Sequence, residues 1–355
     1  MNSRLKSVYS QLKQRGLDAL LVSLPANISY LVESLSRDSY LLVSEKENIY
    51  FTDSRYVEEA KSFLKNNAQL KECNGSVFKR IAEAVIDLGL KKLGIEERYL
   101  PFAEFNKIKE HAKGNFDLIP THSIIEDKRQ VKDAGEIAKI RKATQITALA
   151  LEYIQKFLVP GVKEIEIAAE VERFIRYHEA RASAFDIIVA SGHNSSQPHH
   201  LSGARKLQDH EPVLIDLGVD YQGYKSDLTR VFFLGKIKVL MRKVYDIVLK
   251  AQEKAIKIIR PGAEMAEIDR VAREYIASKG YAKYFTHNLG HGFGLAVHED
   301  PRISRNEASS LKPGMTFTVE PGIYLPNKFG IRIEDMILVT RTGCEVLSGF
   351  INNRN

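Results

Sequence analysis

The chain has 355 residues, a formal net charge of +7 and 44% hydrophobic residues. This length favours two domains, because a single hydrophobic core stops growing at roughly 250–300 residues. The composition is ordinary for a globular protein, and no apolar run approaches the ~18 residues that a membrane-spanning helix needs. We therefore expect no membrane partner, and the charged start of the chain predicts an amphipathic helix and not a signal peptide.

Nucleic-acid binding and disulfide-rich architectures are also disfavoured. Lys and Arg are interleaved with Glu along predicted helices, as in Lys250–Lys254, which predicts a solvated basic surface and no nucleic-acid partner. Cys73 and Cys344 fall outside every patterned segment. We expect two reduced thiols in a cytoplasmic protein, with neither a disulfide nor a thiolate metal site.

Residues 1–127 predict a small α/β domain. Apolar residues at Leu5, Val8 and Leu12 share one face of an N-terminal helix. The charged stretch Glu126–Asp133 has no apolar period and predicts a boundary before a second domain of residues 133–355. Short apolar runs within the first domain predict strands at Ala19–Val22, Tyr40–Val43, Ile49–Thr52, Leu93–Glu96 and Asp117–Ile119.

The second domain contains a weak internal repeat. A helical stripe over residues 136–158 ends at Pro160–Gly161, and the same order of helix, Pro-Gly stop and second helix returns 101 residues later at Pro261–Gly262. Strands that carry acids or histidines follow each unit. Two similar halves that supply side chains to one place predict a pseudo-symmetric α+β domain with its site on the internal axis.

Five candidate metal ligands lie in the last 140 residues, at Asp216, Asp227, His291, Glu320 and Glu334. Apolar or β-branched residues precede four of them, which predicts ligands within buried strands or at their ends. An ionised carboxylate there is costly unless it is paired or bound to a metal. One imidazole with four carboxylates suits hard divalent ions, and bridging carboxylates suit two ions side by side. The pattern predicts a two-metal hydrolase.

Together these segments resemble the pita-bread metallopeptidases, specifically the Xaa-Pro aminopeptidase and Xaa-Pro dipeptidase (prolidase) family. Asn27–Leu31 and Phe51–Tyr56 are similar to parts of that family's N-terminal domain, and the five ligands follow the family's order with spacings of 11, 64, 29 and 14 residues. The resemblance covers nearly the whole chain. It implies an α/β N-terminal domain of the ribonuclease-H-like, creatinase/prolidase type, followed by an α+β pita-bread metallopeptidase domain with a pseudo-twofold internal repeat.

The resemblance also implies how the ligands divide between two divalent metal ions. Asp216 would bind one ion, His291 and Glu320 would bind the second, and Asp227 and Glu334 would bridge the two. Mn²⁺ is the favoured ion, with Co²⁺, Fe²⁺ or Zn²⁺ as alternatives. Two adjacent cations lower the pKa of a water between them and polarise the attacked carbonyl.

Further residues match family positions around the substrate. His199 and His298 would donate hydrogen bonds to substrate oxygens, and Glu320 would move a proton from water to the proline nitrogen. His287 could equally be structural, and Arg332 could be a structural partner of a ligand carboxylate. The resemblance thus implies catalytic roles for His199, His287, His298, Glu320 and Arg332, and substrate-binding roles for His199, His298, Tyr324 and Arg332.

The implied function is hydrolysis of the bond between an N-terminal residue and a following proline, as in an Xaa-Pro aminopeptidase. An Xaa-Pro dipeptidase with the same site and mechanism is the alternative, because the sequence does not determine whether the pocket closes after the second residue. A methionine-aminopeptidase-like specificity is disfavoured by the N-terminal domain, and a non-catalytic binding protein is disfavoured by the complete ligand set. The family commonly forms dimers, so we expect a homodimer with Asn27–Leu31 among the candidate contacts.

Overall fold

The computed structural model describes residues 3–65 and 67–349. Contacts between Cα atoms divide the chain into two units, Met1–Arg129 and Gln130–Asn355. Within the described ranges, no helix is long and apolar enough to cross a membrane.

The first unit is built on one mixed six-stranded sheet. Its strands are β1 (Ala19–Val22), β2 (Ser39–Ser44), β3 (Ile49–Thr52), β4 (Gln69–Glu72), β5 (Lys92–Glu96) and β6 (Asp117–Thr121). Their order in the sheet is β4-β3-β2-β1-β5-β6, in which β1 runs parallel to β5 and antiparallel to β2. The helices are α1 (Ser3–Gln14), α2 (Pro25–Val32), α3 (Val57–Leu64), α4 (Val77–Asp87), α5 (Phe102–Ala112) and α6 (Glu126–Arg129).

The predicted pattern of the first unit agrees with this structure. Leu5, Val8 and Leu12 are all buried on one face of α1, as their spacing predicts. Each of the five predicted strands is present. The polar strand β4 and the helix α2 were not predicted, because neither has the apolar alternation that marks a half-buried element.

The charged segment 126–133 is less exposed than its composition suggests. Arg129 is buried and donates from Nη1 to Asn27 Oδ1 at 2.7 Å. Lys132 is also buried and pairs with Glu299. Charged residues are rarely buried unless they are paired, and here each has a partner far away in the sequence.

Four helices frame the second unit, and they follow the predicted repeat. They are α7 (Ala134–Ile154), α8 (Glu164–Tyr177), α9 (Val239–Lys257) and α10 (Met265–Ser278). Asp133 and Glu136 cap the start of α7 reciprocally. Gly161 and Gly262, which lie between the helices of each pair, have φ values of 97° and 82°. A left-handed backbone of this kind favours glycine, which explains the Pro-Gly stop in both halves.

Antiparallel strands complete the second unit. They are β7 (Ala182–Ser183), β8 (Ile188–Ser191), β9 (Pro212–Leu217), β10 (Val219–Tyr221), β11 (Tyr224–Lys225), β12 (Leu228–Phe233), β13 (Gly290–Gly292), β14 (Glu299–Ile303), β15 (Thr316–Val319), β16 (Gly322–Leu325), β17 (Phe329–Arg332), β18 (Asp335–Val339) and β19 (Cys344–Val346). The helix pair α7–α8 shares a core with strands β8, β9 and β12, and the pair α9–α10 packs mainly with strands from β13 onward. This is the α+β arrangement that the repeat predicts.

Candidate active site

Strands of the second unit carry the five candidate ligands. Asp216 lies within β9, and Asp227 directly precedes its antiparallel partner β12. His291 is the central residue of β13, Glu320 follows the end of β15, and Glu334 lies between β17 and β18. The apolar residues on either side of these positions are buried, so the strands carry the polar side chains into the interior.

Three of these side chains form a group that could hold a cation. Ligand atoms of Asp227, His291 and Glu334 all lie within 4.8 Å of one another. The Nε2 atom of His291 is 3.5 Å from Oδ2 of Asp227 and 3.3 Å from Oε1 of Glu320. The structure therefore brings four of the five predicted ligands together.

The fifth, Asp216, is held beside this group by Arg332. Arg332 donates from Nη2 to Oδ2 of Asp216 at 2.6 Å. The other carboxylate oxygen, Oδ1, is buried and has no hydrogen-bond partner among the described residues. Asp216 also lies opposite Thr229 in the β9–β12 ladder, two residues from Asp227, and after burial its charge contributes most to the raised pKa of Asp227. Arg332 is thus the partner of a candidate ligand.

Two glycines allow β13 to approach its neighbours closely. A Cβ atom on Gly290 would collide with the carbonyl oxygen of Thr318, and one on Gly292 would collide with the carbonyl oxygen of Asp300. Neither position can accept a side chain without a backbone shift. His291, which lies between the two glycines, is therefore fixed close to the acids on the adjoining strands.

Burial makes the acids of this group difficult to ionise. Burial and the neighbouring carboxylates raise the pKa of Asp227 and of Glu334 well above the ordinary value. Burial also raises the pKa of Glu320 and lowers the pKa of His291. Each ionised carboxylate in a crowded, buried site makes ionisation of its neighbours less favourable. A bound cation has the opposite effect and lowers the pKa of these carboxyls.

The donor set fits divalent metal ions. His291 Nδ1 lies 3.2 Å from the carbonyl oxygen of Gly292. The Nδ1–H therefore donates to that carbonyl, and in the neutral ring the lone pair of Nε2 faces the carboxylates of Asp227 and Glu320. When these acids are ionised, their oxygens and the Nε2 lone pair repel one another, and a cation bound between them removes that repulsion. The unpartnered Oδ1 of Asp216 offers a further acceptor to such a cation.

Two threonines that were not predicted as site residues support the acids. Thr229 donates to Oε2 of Glu334 at 2.7 Å and accepts from Nε of Arg332 at 3.0 Å. Thr318 donates to Oε1 of Glu320 at 3.0 Å. Each threonine lies two positions along the chain from a candidate ligand, so the period of two in extended backbone could have identified them.

A hydrogen-bonded series connects His287, Tyr324 and Arg332. Arg332 donates from Nη1 to the Tyr324 hydroxyl at 2.9 Å, and that hydroxyl lies 3.0 Å from Nε2 of His287. Nδ1 of His287 is 2.7 Å from the carbonyl oxygen of Asn288 and donates to it. Nε2 of a neutral His287 can therefore accept from Tyr324. These contacts suit a positioning role for His287 and Arg332 as well as a catalytic one, and the roles of both residues remain predictions.

His298 and His199 lie at the accessible side of the site. The rings of His298 and His291 pack edge to face, with 4.3 Å between their centroids. Partial burial of the ring, together with the nearby charges of His291 and His199, lowers the pKa of His298 to about 4. His298 is thus neutral at pH 7, with one ring N–H to donate. The side chains of both His199 and His298 are exposed, so a substrate can reach them.

Comparisons with known proteins identify the family. Residues 138–341 match metallopeptidase family M24, and residues 4–131 match the creatinase/prolidase N-terminal domain. The chain is 36% identical over 351 residues to the Xaa-Pro dipeptidase of Pyrococcus horikoshii. The alignment covers 98% of this chain and 97% of that protein.

Solved structures give the same result. An Xaa-Pro dipeptidase from Bacillus anthracis superposes with a TM-score of 0.93 at 36% identity, covering 97% of this chain and 96% of that one. An X-Pro aminopeptidase from Thermotoga maritima gives a TM-score of 0.89 at 37% identity, covering 98% of this chain and 97% of that one.

Fold and comparisons together define a metal-dependent peptidase. The chain belongs to metallopeptidase family M24 and carries the N-terminal domain of the creatinase/prolidase type. The predicted fold class and the resemblance to the Xaa-Pro peptidase family are confirmed.

Proposed function

We propose that this protein is an Xaa-Pro dipeptidase, which hydrolyses the bond between an N-terminal residue and a C-terminal proline. The observation that carries the proposal is the buried group of Asp227, His291 and Glu334, with ligand atoms within 4.8 Å of one another. It lies on a chain that aligns over 98% of its length with a protein named Xaa-Pro dipeptidase. The comparisons support this alternative better than the aminopeptidase activity that the sequence analysis favoured.

Five residues would hold two divalent metal ions in this proposal: Asp216, Asp227, His291, Glu320 and Glu334. When bound, the ions supply Lewis-acid polarisation of the scissile carbonyl and lower the pKa of the attacking water. Arg332 orients Asp216 through Nη2, and Thr229 orients Glu334. Both contacts fix a ligand oxygen before substrate arrives, which is the preorganisation that a buried polar site requires.

Other side chains of the site would act on the substrate directly. Glu320 would accept a proton from the attacking water at a carboxylate oxygen and pass it to the proline nitrogen as the bond breaks. His298, neutral at pH 7, would donate its ring N–H to the carbonyl oxygen as negative charge develops, and His199 would contact a second substrate oxygen. A prolyl amide nitrogen has no N–H, so a pocket around it needs no hydrogen-bond acceptor there.

A substrate comparison tests the proposal. The metal-loaded enzyme should give a higher kcat/KM on Ala-Pro than on Ala-Pro-Ala, and Ala-Ala and Met-Ala should be poor substrates. A preference for the tripeptide would instead establish an Xaa-Pro aminopeptidase, and a preference for Met-Ala a methionine-aminopeptidase-like enzyme. Turnover of none of these peptides by protein that holds metal would overturn the proposed function and favour a binding protein.

We also propose that Mn²⁺ or Co²⁺ supports turnover best, with Mn²⁺ favoured, and that Zn²⁺ binds but supports less. The hard, oxygen-rich set of four carboxylates and one imidazole supports a preference for Mn²⁺ over Zn²⁺. Chelated enzyme reconstituted with one metal at a time, with kcat and metal content measured together, is the test. Full recovery with Zn²⁺ alone would contradict it.

A homodimer and a cytoplasmic location complete the proposal. The expectation of a dimer comes from the family resemblance, and light scattering should return twice the 40.1 kDa of one chain. A particle of the monomer mass at micromolar concentration would contradict it. The two cysteines, Cys73 and Cys344, are both free, as suits a reducing compartment. Fractionation of the source cells tests the location.

A further inference from the structure

The Glu164 carboxylate is a buried anion that the proposed chemistry does not use. Glu164 is the first residue of α8, and its side chain is completely buried. An acid at a helix N-terminus is favoured by the helix dipole, yet a fully buried carboxylate still requires hydrogen bonds to both oxygens. Its partners therefore show what this charge organises.

Those partners all belong to one segment, residues 191–203. Oε1 of Glu164 accepts from the backbone N–H and the hydroxyl of Ser191, each at 2.7 Å. Oε2 lies 2.8 Å from Nε2 of His200, and because a carboxylate can only accept, the His200 ring donates. Nδ2 of Asn194 lies 3.1 Å from both oxygens. One carboxylate thus holds the segment at three points along its length.

The opposite side of the same segment is fixed by strand β17. The backbone N–H of Gly330 donates to the Ser195 hydroxyl at 2.8 Å. A Cβ atom on Gly330 would collide with the carbonyl oxygen of Ser195, so the two backbones are in close contact. Arg332 at the end of β17 lies 3.4 Å from the carbonyl oxygen of Pro198. The segment is held between Glu164 and the strand that precedes candidate ligand Glu334.

His199 lies inside this segment, directly before His200. The side chain of His199 is exposed, whereas Ser191 and Ser195 are fully buried. Among the described residues, no hydrogen bond or ion pair holds the His199 ring. Its two neighbours are anchored instead, Pro198 by Arg332 and His200 by Glu164.

From this geometry we infer that Glu164 is a positioning residue for the reaction, which acts through His200 and Asn194 to hold His199 where it meets the substrate. The inference rests on the proposed function, because His199 is a substrate contact only if the site cleaves Xaa-Pro peptides. Burial by itself would raise the pKa of Glu164, but the hydrogen bonds from Ser191, His200 and Asn194 outweigh it and lower the pKa. The carboxylate is therefore ionised at neutral pH and accepts on both oxygens.

Glu164→Gln is the appropriate variant, because the amide keeps the size of the side chain but replaces an accepting oxygen with a donating NH₂ group that faces donors. Its matched control is Glu166→Gln, two residues further along α8. The Glu166 side chain is exposed and accepts a hydrogen bond from the backbone N–H of Lys163 at the start of the helix. We expect Glu164→Gln to lose roughly 10- to 100-fold in kcat/KM on Ala-Pro, as a small misplacement of a substrate contact does. Metal content should stay at that of the unchanged enzyme, and Glu166→Gln should match it in kcat/KM.

A double-mutant cycle with His199→Ala separates positioning from a general loss of structure. If Glu164 acts through His199, Glu164→Gln should cost less than threefold in the His199→Ala background, so that the two effects are strongly non-additive. Equal losses in both backgrounds would overturn the inference. His200→Gln, a milder change to the same contact, should show the same non-additivity and serves if Glu164→Gln does not fold.

Hydrogen exchange provides a readout that does not depend on activity. Backbone amides of residues 192–203 should exchange faster in Glu164→Gln than in Glu166→Gln, while those of β15 and β18 stay unchanged. Unchanged exchange in 192–203 would overturn the inference even if activity falls. If the unchanged enzyme cleaves no Xaa-Pro peptide, the proposed function fails, and with it the link to His199, while faster exchange would still show that Glu164 holds the segment.

Discussion

Lys132 and Glu299 form a buried ion pair in which Nζ and Oε1 are 2.9 Å apart and only 1% and 8% of the two side chains are exposed. The second oxygen of Glu299 accepts from the backbone N–H of Ala296 at 3.2 Å. His298 lies between Ala296 and Glu299, so the carboxylate holds the turn that presents His298. The lysine precedes α7, and the pair therefore ties the beginning of the second unit to its proposed catalytic turn.

Replacing this lysine should destabilise the protein strongly. Lys132→Ala removes the cation that faces a buried carboxylate, and breaking such a pair costs about 3–5 kcal/mol of unfolding free energy. Lys132→Met combined with Glu299→Gln should recover most of that loss, since no charge is left in the interior and the amide oxygen still accepts from Ala296. Denaturant unfolding of metal-loaded protein measures both variants. The control is Lys243→Ala on the exposed face of α9; equal stability of Lys132→Ala and this control would refute the prediction.

Loss of the His298 ring should reduce turnover without releasing metal. His298→Ala removes one neutral N–H donor near the candidate ligand His291, and such donors are typically worth a factor of ~10²–10³ in kcat. We expect a loss of at least about a hundredfold in kcat, with metal content and melting temperature close to those of the unchanged enzyme. His193→Ala, another exposed histidine of the second unit, serves as the control. Near-normal kcat with a lowered melting temperature would show that His298 belongs to the fold instead.

The sequence predicted local elements well because their signals are local. The stripe of Leu5, Val8 and Leu12 is the buried face of α1, and the two Pro-Gly stops end the first helix of each pair where predicted. The candidate ligands were also predictable as a set, because each is an acid or imidazole next to apolar residues that the fold buries. Four of the five come together directly, and Asp216 joins them through Arg332.

What the sequence could not provide is the set of partners that are remote along the chain. Lys132 and Glu299 are 167 positions apart, and nothing near either residue indicates the other. Glu164 and Arg129 likewise appear as solvated charges in the sequence, although both are buried. The strand order of the first sheet could not be predicted for the same reason, since β1 pairs with β5, which lies far along the chain. Burial of a charge is decided by its partner and not by local periodicity.

Metal binding should stabilise the protein, and Asp227 should be required for the full effect. A ligand that binds only the folded state adds RT ln(1 + [L]/Kd) to stability, or ~4 kcal/mol at a thousandfold excess over Kd. Addition of Mn²⁺ to chelated protein should therefore raise its melting temperature. In Asp227→Ala the rise should shrink and elemental analysis should find fewer than two metals per chain. Asp246→Ala, an exposed acid on α9, is the control; two metals retained in Asp227→Ala would contradict the assignment of Asp227 as a bridge.

Asp220 should give the protein a pH-dependent stability that is unrelated to the metal ions. Its carboxylate is buried and accepts hydrogen bonds from Nη2 of Arg181, at 2.5 Å, and from Lys225. Burial would raise the pKa of Asp220, but these two bonds outweigh it and hold the pKa below the ordinary value of an aspartate. The unfolded chain therefore binds this proton more readily than the folded one, and the stabilisation is lost as the pH falls.

The sign of that linkage defines a measurement with Asp220→Asn. Above about pH 5, where an unfolded aspartate is ionised, the unchanged protein should be more stable than the variant by roughly 2 kcal/mol, since hydrogen bonds to charged groups are worth ~1.5–3 kcal/mol. That difference should be constant up to pH 8 and should decrease below about pH 4, where the unfolded carboxyl takes up a proton while the folded one stays ionised. Unfolding free energies of both proteins from pH 3 to pH 8 provide the test, with Asp246→Asn as the exposed control. A difference that grows toward low pH would mean that the Asp220 carboxylate is not held ionised by Arg181 and Lys225.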